Sequence, residues 1–492
     1  LRPPQARVRR FAVGLVGFSS GLLVALALVM PMGLFASGCG GGGKGKKKDR
    51  EIILHTEAVD QKVGRDVATQ VREQMGIIDE PKLADFVRDV GRRIARNAPR
   101  RGFNYVFSIV DQEVPNAFAV PGGFIYVSRG LLGLANSTDQ VAGVIGHEIV
   151  HVAARHAAAQ QAMINTVALP FTFYSAVQIA SFGRDQERES DRLGQALAGL
   201  AGYDPKGLAE FMRELEASER MRLGTSRMPS WLDSHPATTE RFASAAARAN
   251  VIQWQRKPGT NEDSGSYLRR LEGLVDGMNA NQGVIEGERF LHPSLGFSML
   301  FPDRWLVMNS PQAVGAISPK RNAQVFLEHQ GLGIDPRLSA EEYLKEVSNQ
   351  GFNAEKVQSV KIGDFDGWRV FGGVSTPGGR IHVVFTWISY NSSIYRITGV
   401  TLSESMMPSI LNVARSFRPL TPEQRASIYE VHIHIATARA GETLTTLSER
   451  TDNAWNVQRT AVMNGMFTND PLEKGRFIKV GRRIPYPSPD SR

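Results

Sequence analysis

His147-Glu148-Ile149-Val150-His151 is the stretch of this chain whose residue types and spacing specify a chemistry. On a helix, residues four apart stand one turn above another on the same face, so both imidazoles can reach a single metal ion. The glutamate between them can hold a water and take its proton. The chemistry such a set carries is metal-assisted hydrolysis of a peptide bond, and zinc is the metal that suits it. The same pentapeptide also arises by chance on helices with a wet edge, so its surroundings decide.

The run from Asn136 to His156 predicts a buried helix. Ser137 followed by Gln140 has the capping-box pattern and sets its start. Val141, Val144, Ile145, Ile149 and Val152 supply apolar faces, interrupted by His147, Glu148 and His151. Buried there, those three polar side chains are costly unless something satisfies them. Gly146 leaves room beside the first histidine for another backbone to come close. Arg155 and His156 extend the polar side by another turn, either to orient a carboxylate or as ordinary basic residues at a helix C-terminus.

A hydrolytic zinc wants three protein ligands and one open position. The best source of the third is the helical stretch Arg184 to Gly194. Glu187 and Asp191 are four apart and share a face, so Glu187 can ligate while Asp191 supports a ligand imidazole. Glu189 points elsewhere and is the weaker candidate. The competing reading of this stretch is an exposed helix surface laced with charge.

The combination of His147-Glu148-x-x-His151-x-x-x-Arg155-His156 with Glu187-x-x-x-Asp191-x-x-Gly194 resembles the zinc metallopeptidases of the HtpX and BepA type, related to the CAAX prenyl endopeptidases. The resemblance implies zinc on His147, His151 and Glu187, Glu148 as catalytic base, and Asp191 as buttress to a histidine. The stretch Val114 to Gly130 is similar to the family's sheet before the active helix, with Asn116 to Ala119 as the edge on which members lay substrate. From the residues alone, it is two short strands split by Pro121-Gly122-Gly123, and an edge suits extended peptide. Ser234-His235-Pro236 with Arg241 resembles a signature of the BepA-like branch. There the histidine takes a fourth zinc position and keeps the enzyme latent. His235 is therefore a candidate gate with Arg241 as its structural companion, or it caps the helix that begins after Pro236. The apolar stretch Ala162 to Phe182 is a lid, a membrane-facing flap or a buried helical hairpin.

Stepping outward, 492 residues exceed a single core and predict a multidomain α+β chain. Residues 1–38 combine Arg7, Arg9 and Arg10 with an apolar run and Ser37-Gly38-Cys39, a secretory signal ending at a lipobox-like site or an uncleaved membrane anchor. Residues 39–50 form a Gly/Lys-rich tether, and Gly40 after the cysteine resembles signals sorted to an outer membrane. A mainly helical metallopeptidase domain spans 51–255, and 256–288 hold a linker and a short helix around Tyr267 to Asn279. An α+β unit at 289–420 resembles the PsbP or Mog1 fold, with a hairpin turning at Asn391-Ser392-Ser393 and helices at Ala340–Ser348 and Met406–Arg415. Residues 421–484 resemble a divergent LysM module, opening on Gly441-Glu442-Thr443-Leu444 and implying contact with peptidoglycan; 485–492 are a tail. A single cysteine removes any intrachain disulfide. The net charge of +9 has no nucleic-acid motif behind it and suits anionic envelope surfaces.

Together these features predict a membrane-anchored zinc endopeptidase of the bacterial envelope, facing the periplasm, with misfolded or unassembled envelope proteins as substrates. Two other readings remain open at this point: a latent zinc-binding, chaperone-like scaffold, and a peptidase acting on cell-wall crosslinks.

Overall fold

The computed structural model describes residues 57–99, 104–156, 182–221, 230–236, 239–260, 263–376 and 379–486. The expected signal or anchor, the tether and the apolar stretch up to residue 181 lie outside the described residues. Among the described residues, no helix is long and apolar enough to cross a membrane.

The amino-terminal unit is helical around a small sheet. Helix α1 (Glu57–Met75) leads through β1 (Ile77–Ile78) to α2 (Pro81–Ala95), then to β2 (Val106–Val110), β3 (Ala117–Val120) and β4 (Phe124–Ser128). The sheet order is β1-β2-β4-β3, with β2 and β4 parallel and β3 antiparallel on the outside. Pro121-Gly122-Gly123 makes the turn between β3 and β4, and both glycines take positive φ (82° and 99°). Short α3 (Arg129–Leu134) then delivers the chain to α4 (Thr138–Ala153), the helix of the histidine pair.

Ser137 caps α4, its hydroxyl accepting from the Gln140 amide at 3.2 Å. The expected capping box is modified. Gln140 Oε1 accepts from Asn136 N at 2.7 Å, one residue upstream of the cap, while its Nε2 donates to Glu214 at 2.9 Å. The expected further turn through His156 does not form. The helix ends at Ala153, and Arg155 adopts φ of 57°. That break sends the Arg155 guanidinium to Asp60 of α1 at 2.7 Å and folds His156 back toward His151.

Val141, Val144, Ile145, Ile149 and Val152 are all buried in one core with α2 and the sheet. Each contributes about 1.5–3 kcal/mol relative to exposure. On its other flanks α4 meets α5 (Arg184–Ala201) and α6 (Lys206–Met221). The crossing with α5 is glycine on glycine. A Cβ on Gly146 would lie 2.7 Å from the Gly194 carbonyl oxygen, and one on Gly194 would lie 2.7 Å from the His147 nitrogen. A four-residue turn, α7 (Trp231–Ser234), and α8 (Thr239–Ala249) close this unit over α5.

Beyond it, α9 (Ser264–Arg270) is shorter than the expected Tyr267–Asn279 helix, because the chain turns into β5 (Val275–Asp276) to pair with a strand far downstream. A four-stranded sheet holds β6 (Val284–Glu286), β7 (Arg289–His292), β8 (Phe297–Leu300) and, later, β16 (Arg418–Pro419). An antiparallel sheet of seven follows, built from β9 (Leu306–Asn309), β10 (Ala313–Ile317), β11 (Ala323–Leu332), β12 (Asn353–Ile362), β13 (Phe365–Thr376), β14 (Gly379–Tyr390) and β15 (Ser393–Thr401). α10 (Pro336–Ser348) packs on one face and α11 (Met407–Arg415) on the other. Asn391 and Ser392 join β14 to β15 with φ of 49° and 56°, the left-handed pair a two-residue hairpin requires.

After α12 (Pro422–Ser427), strand β17 (Tyr429–Thr437), helices α13 (Leu444–Arg450) and α14 (Val457–Met463), and strand β18 (Phe477–Pro485) complete the chain. β17 pairs with β18 on one side and β5 on the other. Ala436, Ile478 and Val480 face the module's own helices, while Val431, Ile433, Ile435 and Phe477 face the core of the amino-terminal unit. The two ends of the chain therefore share one apolar core.

The glycine crossing generates a test. Gly194→Ala gains about 1 kcal/mol of helix propensity, but its methyl meets backbone, and overpacking of that kind costs about 1–3 kcal/mol. Urea denaturation is expected to show a net loss of stability; an unchanged or raised midpoint would mean that the helices can separate freely.

Candidate metal centre

The helix crossing brings side chains from α4 and α5 face to face, and the turn α7 adds a third contributor. One donor atom each from His147, His151, Glu187 and His235 lies within 4.8 Å of the others, and all four residues are buried. His147 Nε2 stands 2.9 Å from His151 Nε2 and 3.2 Å from His235 Nδ1. The Glu187 carboxylate lies 3.5 Å from His151 Nε2, 3.7 Å from His147 Nε2 and 2.9 Å from His235 Nδ1. The i, i+4 spacing of His147 and His151 makes this possible within one helix.

The far side of each imidazole is fixed as well. His147 Nδ1 meets Asp191 Oδ1 at 3.0 Å, and His151 Nδ1 meets His156 Nδ1 at 3.2 Å. His156 Nε2 in turn meets Glu189 at 3.3 Å, so the weaker candidate of α5 holds the support of His151 rather than the centre itself. Such contacts choose the tautomer and aim the inner nitrogen. Arg241 of α8 donates to both oxygens of Asp191 at 2.8 Å, and its Nη1 makes an ion-pair contact with Glu187 at 2.7 Å. The same Nη1 donates to the Pro236 carbonyl at 2.9 Å, tying α8 to the residue after His235.

Electrostatics follow from this packing. Burial drives the His151 imidazolium well below the ordinary histidine range, opposed by Glu187. Burial works against the Glu187 anion, yet His235, His151 and His147 together hold its carboxyl far below the usual range. Asp191, likewise penalised by burial, is brought down to about 2 by Arg241 and His147. His235 is raised despite burial, by Glu187 and Glu148. Glu187 and Asp191 therefore stay charged while the inner nitrogen of His151 remains available as a donor, conditions that favour holding a cation.

Glu148 stands beside the donors. Trp231 Nε1 donates to its Oε1 at 3.0 Å, and His235 Nε2 lies 3.5 Å from that same oxygen. Its Oε2 is buried with no hydrogen-bond partner. A buried carboxylate oxygen left this way is costly on its own and fits a centre that takes a metal with its water. His235 is held flat between Trp231 (ring centroids 4.8 Å, 25°) and Phe182 (5.2 Å, 29°), and Phe182 also covers His151. His235 follows the turn α7 and precedes α8 by four residues; it faces the donors and does not cap α8.

His147, Glu148, His151, His156, Glu187, Glu189, Asp191, His235 and Arg241 come together here, while Arg155 turns away to Asp60. Two that matter were not foreseen. Trp231 sits four residues before His235 on one turn, a spacing that could have found it; nothing local marks Phe182 as a ring over His151.

Residues 81–249 match the model of peptidase family M48. This stretch is a peptidase family M48 domain. The family is zinc-dependent, and three imidazoles with one carboxylate are a donor set that fits zinc. The chain is 29% identical over 240 residues to the beta-barrel assembly-enhancing protease of Yersinia pestis, covering 43% of this chain and 48% of that one. To the protein of the same name in Escherichia coli K12 it is 26% identical over 219 residues, covering 39% and 44%. To the mitochondrial metalloendopeptidase OMA1 of Arabidopsis thaliana it is 28% identical over 205 residues, covering 39% and 41%. The chain thus spans less than half the length of these relatives. A solution structure of cyanobacterial PsbP from Synechocystis, 14% identical, covers 29% of this chain and 98% of that one with a TM-score of 0.24. The PsbP-like expectation gains nothing from a superposition of that extent.

Among the described residues, Arg241 is the cation that meets both Asp191 and Glu187, so its removal is a sharp test. In zinc-free protein, Arg241→Met is expected to lower the unfolding free energy by about 3–5 kcal/mol, as for other broken buried ion pairs. Urea titration would measure it. A loss under about 1 kcal/mol would contradict two charged carboxylates sharing this guanidinium.

Proposed function

We propose that this protein is a zinc endopeptidase of the bacterial envelope, held latent by His235, that cleaves misfolded or unassembled envelope proteins. One observation carries the reading: four metal-type donors gathered within 4.8 Å, with a buried glutamate against them, inside an M48 domain. His147, His151 and Glu187 hold the metal, and Asp191 keeps His147 oriented. When bound, zinc supplies the Lewis acidity that polarises a peptide carbonyl and acidifies water.

Glu148 moves the proton. Trp231 fixes its Oε1, leaving Oε2 as the oxygen that takes a proton from the attacking water and passes it to the departing amine. His235 stands where it faces both Glu187 and Glu148, so in this arrangement it competes with incoming substrate. An open fourth position is what distinguishes a working hydrolytic zinc from a closed one. The outer strand β3, with Asn116 just before it, supports the reading of an edge for extended peptide.

The location rests on the lipobox-like amino end, which lies outside the described residues, and on the likeness to the beta-barrel assembly-enhancing proteases. The LysM-like opening of the last unit supports peptidoglycan contact under the same reading. The four-donor closure also favours a second account, a zinc-binding scaffold with chaperone-like action and no hydrolysis.

Glu148→Gln is expected to retain zinc and lose about 10²–10⁴-fold in cleavage of an unfolded protein; cleavage that survives would sink the hydrolytic reading. His235→Ala is expected to raise basal proteolysis, and unchanged or lower activity removes it as a gate. Zinc binding with no cleavage by either the natural protein or the His235 variant would favour the scaffold.

A further inference from the structure

Lys479 of β18 is fully buried, and its ammonium is directed at the peptidase rather than at its own module. Nζ donates to the carbonyls of Gly133, Leu134 and Ala135 at 2.8, 3.0 and 2.8 Å. These lie at the end of α3, where carbonyls lack intrahelical partners, and just before the Ser137 cap of α4. An ammonium has three N–H donors, and here each finds one acceptor.

The Lys479 backbone is held in turn. Asn464 accepts from its N–H at 2.7 Å and donates to its carbonyl at 2.9 Å. Next to Asn464, Gly465 takes φ of 60° and approaches so closely that a Cβ would lie 2.6 Å from Glu214 Oε1. Glu214 accepts from Asn136 Nδ2 at 2.8 Å and Gln140 Nε2 at 2.9 Å, the residues that open α4. Burial brings the Lys479 pKa down to about 7, with Glu214 and Asp276 opposing it.

Packing does not call for a lysine at this position. Its cross-strand neighbour Ile435, on the same face of the sheet, joins the peptidase core as an aliphatic side chain. A buried amine is disfavoured there unless its directed bonds do something an aliphatic group cannot. What those bonds do is fix the elbow between α3 and α4. From that elbow α4 runs as one rigid element to His147, Glu148 and His151.

We infer that Lys479 is a positioning residue of the peptidase, and that the C-terminal module is thereby a built-in support of the metal centre rather than an appended binder. This rests on the zinc-endopeptidase reading above. The lysine acts through the α3–α4 elbow, so its loss changes the aim of the metal-binding helix more than it changes substrate contact.

The test uses the full chain loaded with zinc, with Lys479→Met removing all three donors and Lys479→Gln keeping an amide. For Lys479→Met, hydrogen exchange of the amides at 137–141 is expected to rise at least about tenfold while α1 is unaffected. Its kcat on an unfolded protein is expected to fall about tenfold or more with KM little changed, since small misplacements of reacting groups have effects of that size. Lys479→Gln is expected to fall between the two. Wild-type exchange at 137–141 together with wild-type kcat would overturn the inference. So would a loss of activity that merely tracks the unfolded fraction.

If neither variant folds, the natural protein in mild denaturant decides: amides 137–141 and 477–481 must lose protection in one step, and separate steps overturn the coupling. Exchange needs no catalysis, so the two readings fail differently. Absence of cleavage by both the natural protein and its His235→Ala variant sinks the peptidase reading alone, while an active protein with an indifferent Lys479→Met sinks only this inference.

Discussion

Two helices cross at Gly146 and Gly194 with no side chain between their backbones, and that contact sets the reach between the donors of α4 and those of α5. Carboxylates are short. Glu187 and Asp191 meet the histidines of α4 only because the helix that carries them comes this near. With side chains in the way, helix axes stand at the wider end of the usual 8–10 Å, and an aspartate would fall short of His147 Nδ1 first. The glycines cost helix propensity, and the core around them has to offset it. The apolar residues on α4 are therefore part of the chemistry: they hold the helix in place while its polar face is spent on the metal centre.

That polar face imposes a second demand. Four imidazoles and three carboxylates lie buried within one apolar core, and each needs a partner. The partners form a chain rather than isolated pairs. Arg241 serves Asp191 and Glu187 together, Asp191 serves His147, His156 serves His151, and Glu189 serves His156. Trp231 contributes twice, as a hydrogen-bond donor to Glu148 and as a flat surface under His235. A centre wired in this way cannot lose one member without stranding another in low dielectric, where an unpaired group is expensive.

The parts legible in the sequence were those whose logic is local. Histidines four apart, and Glu187 with Asp191 four apart, reveal a shared helix face because the helix period is fixed. The hairpin turn at Asn391 and the turn at Gly122 and Gly123 are written in residues that tolerate positive φ. His235 was approachable only through resemblance, since 48 residues separate it from Glu187 and no periodicity spans that gap. The modified capping box at Asn136, the left-handed break at Arg155 and the early end of α9 share one cause. In each, a tertiary partner (Glu214, Asp60, the strand β17) outcompeted a local preference.

The same competition explains why the M48 match underdescribes the machine. The matched segment ends at residue 249 and begins at 81, yet α4 is braced from outside it at both ends. Asp60 of α1 pairs with Arg155 just past the carboxyl end, and Lys479 holds the elbow just before the amino end. A helix fixed at both termini and pinched in its middle by Gly194 has little freedom to tilt. The mobility that the proposed latency requires must then lie elsewhere. The four-residue turn that precedes His235 fits that requirement, because it lies outside α4 and α5 and can carry the histidine away from Glu187 and Glu148 while the donors on those helices stay in register.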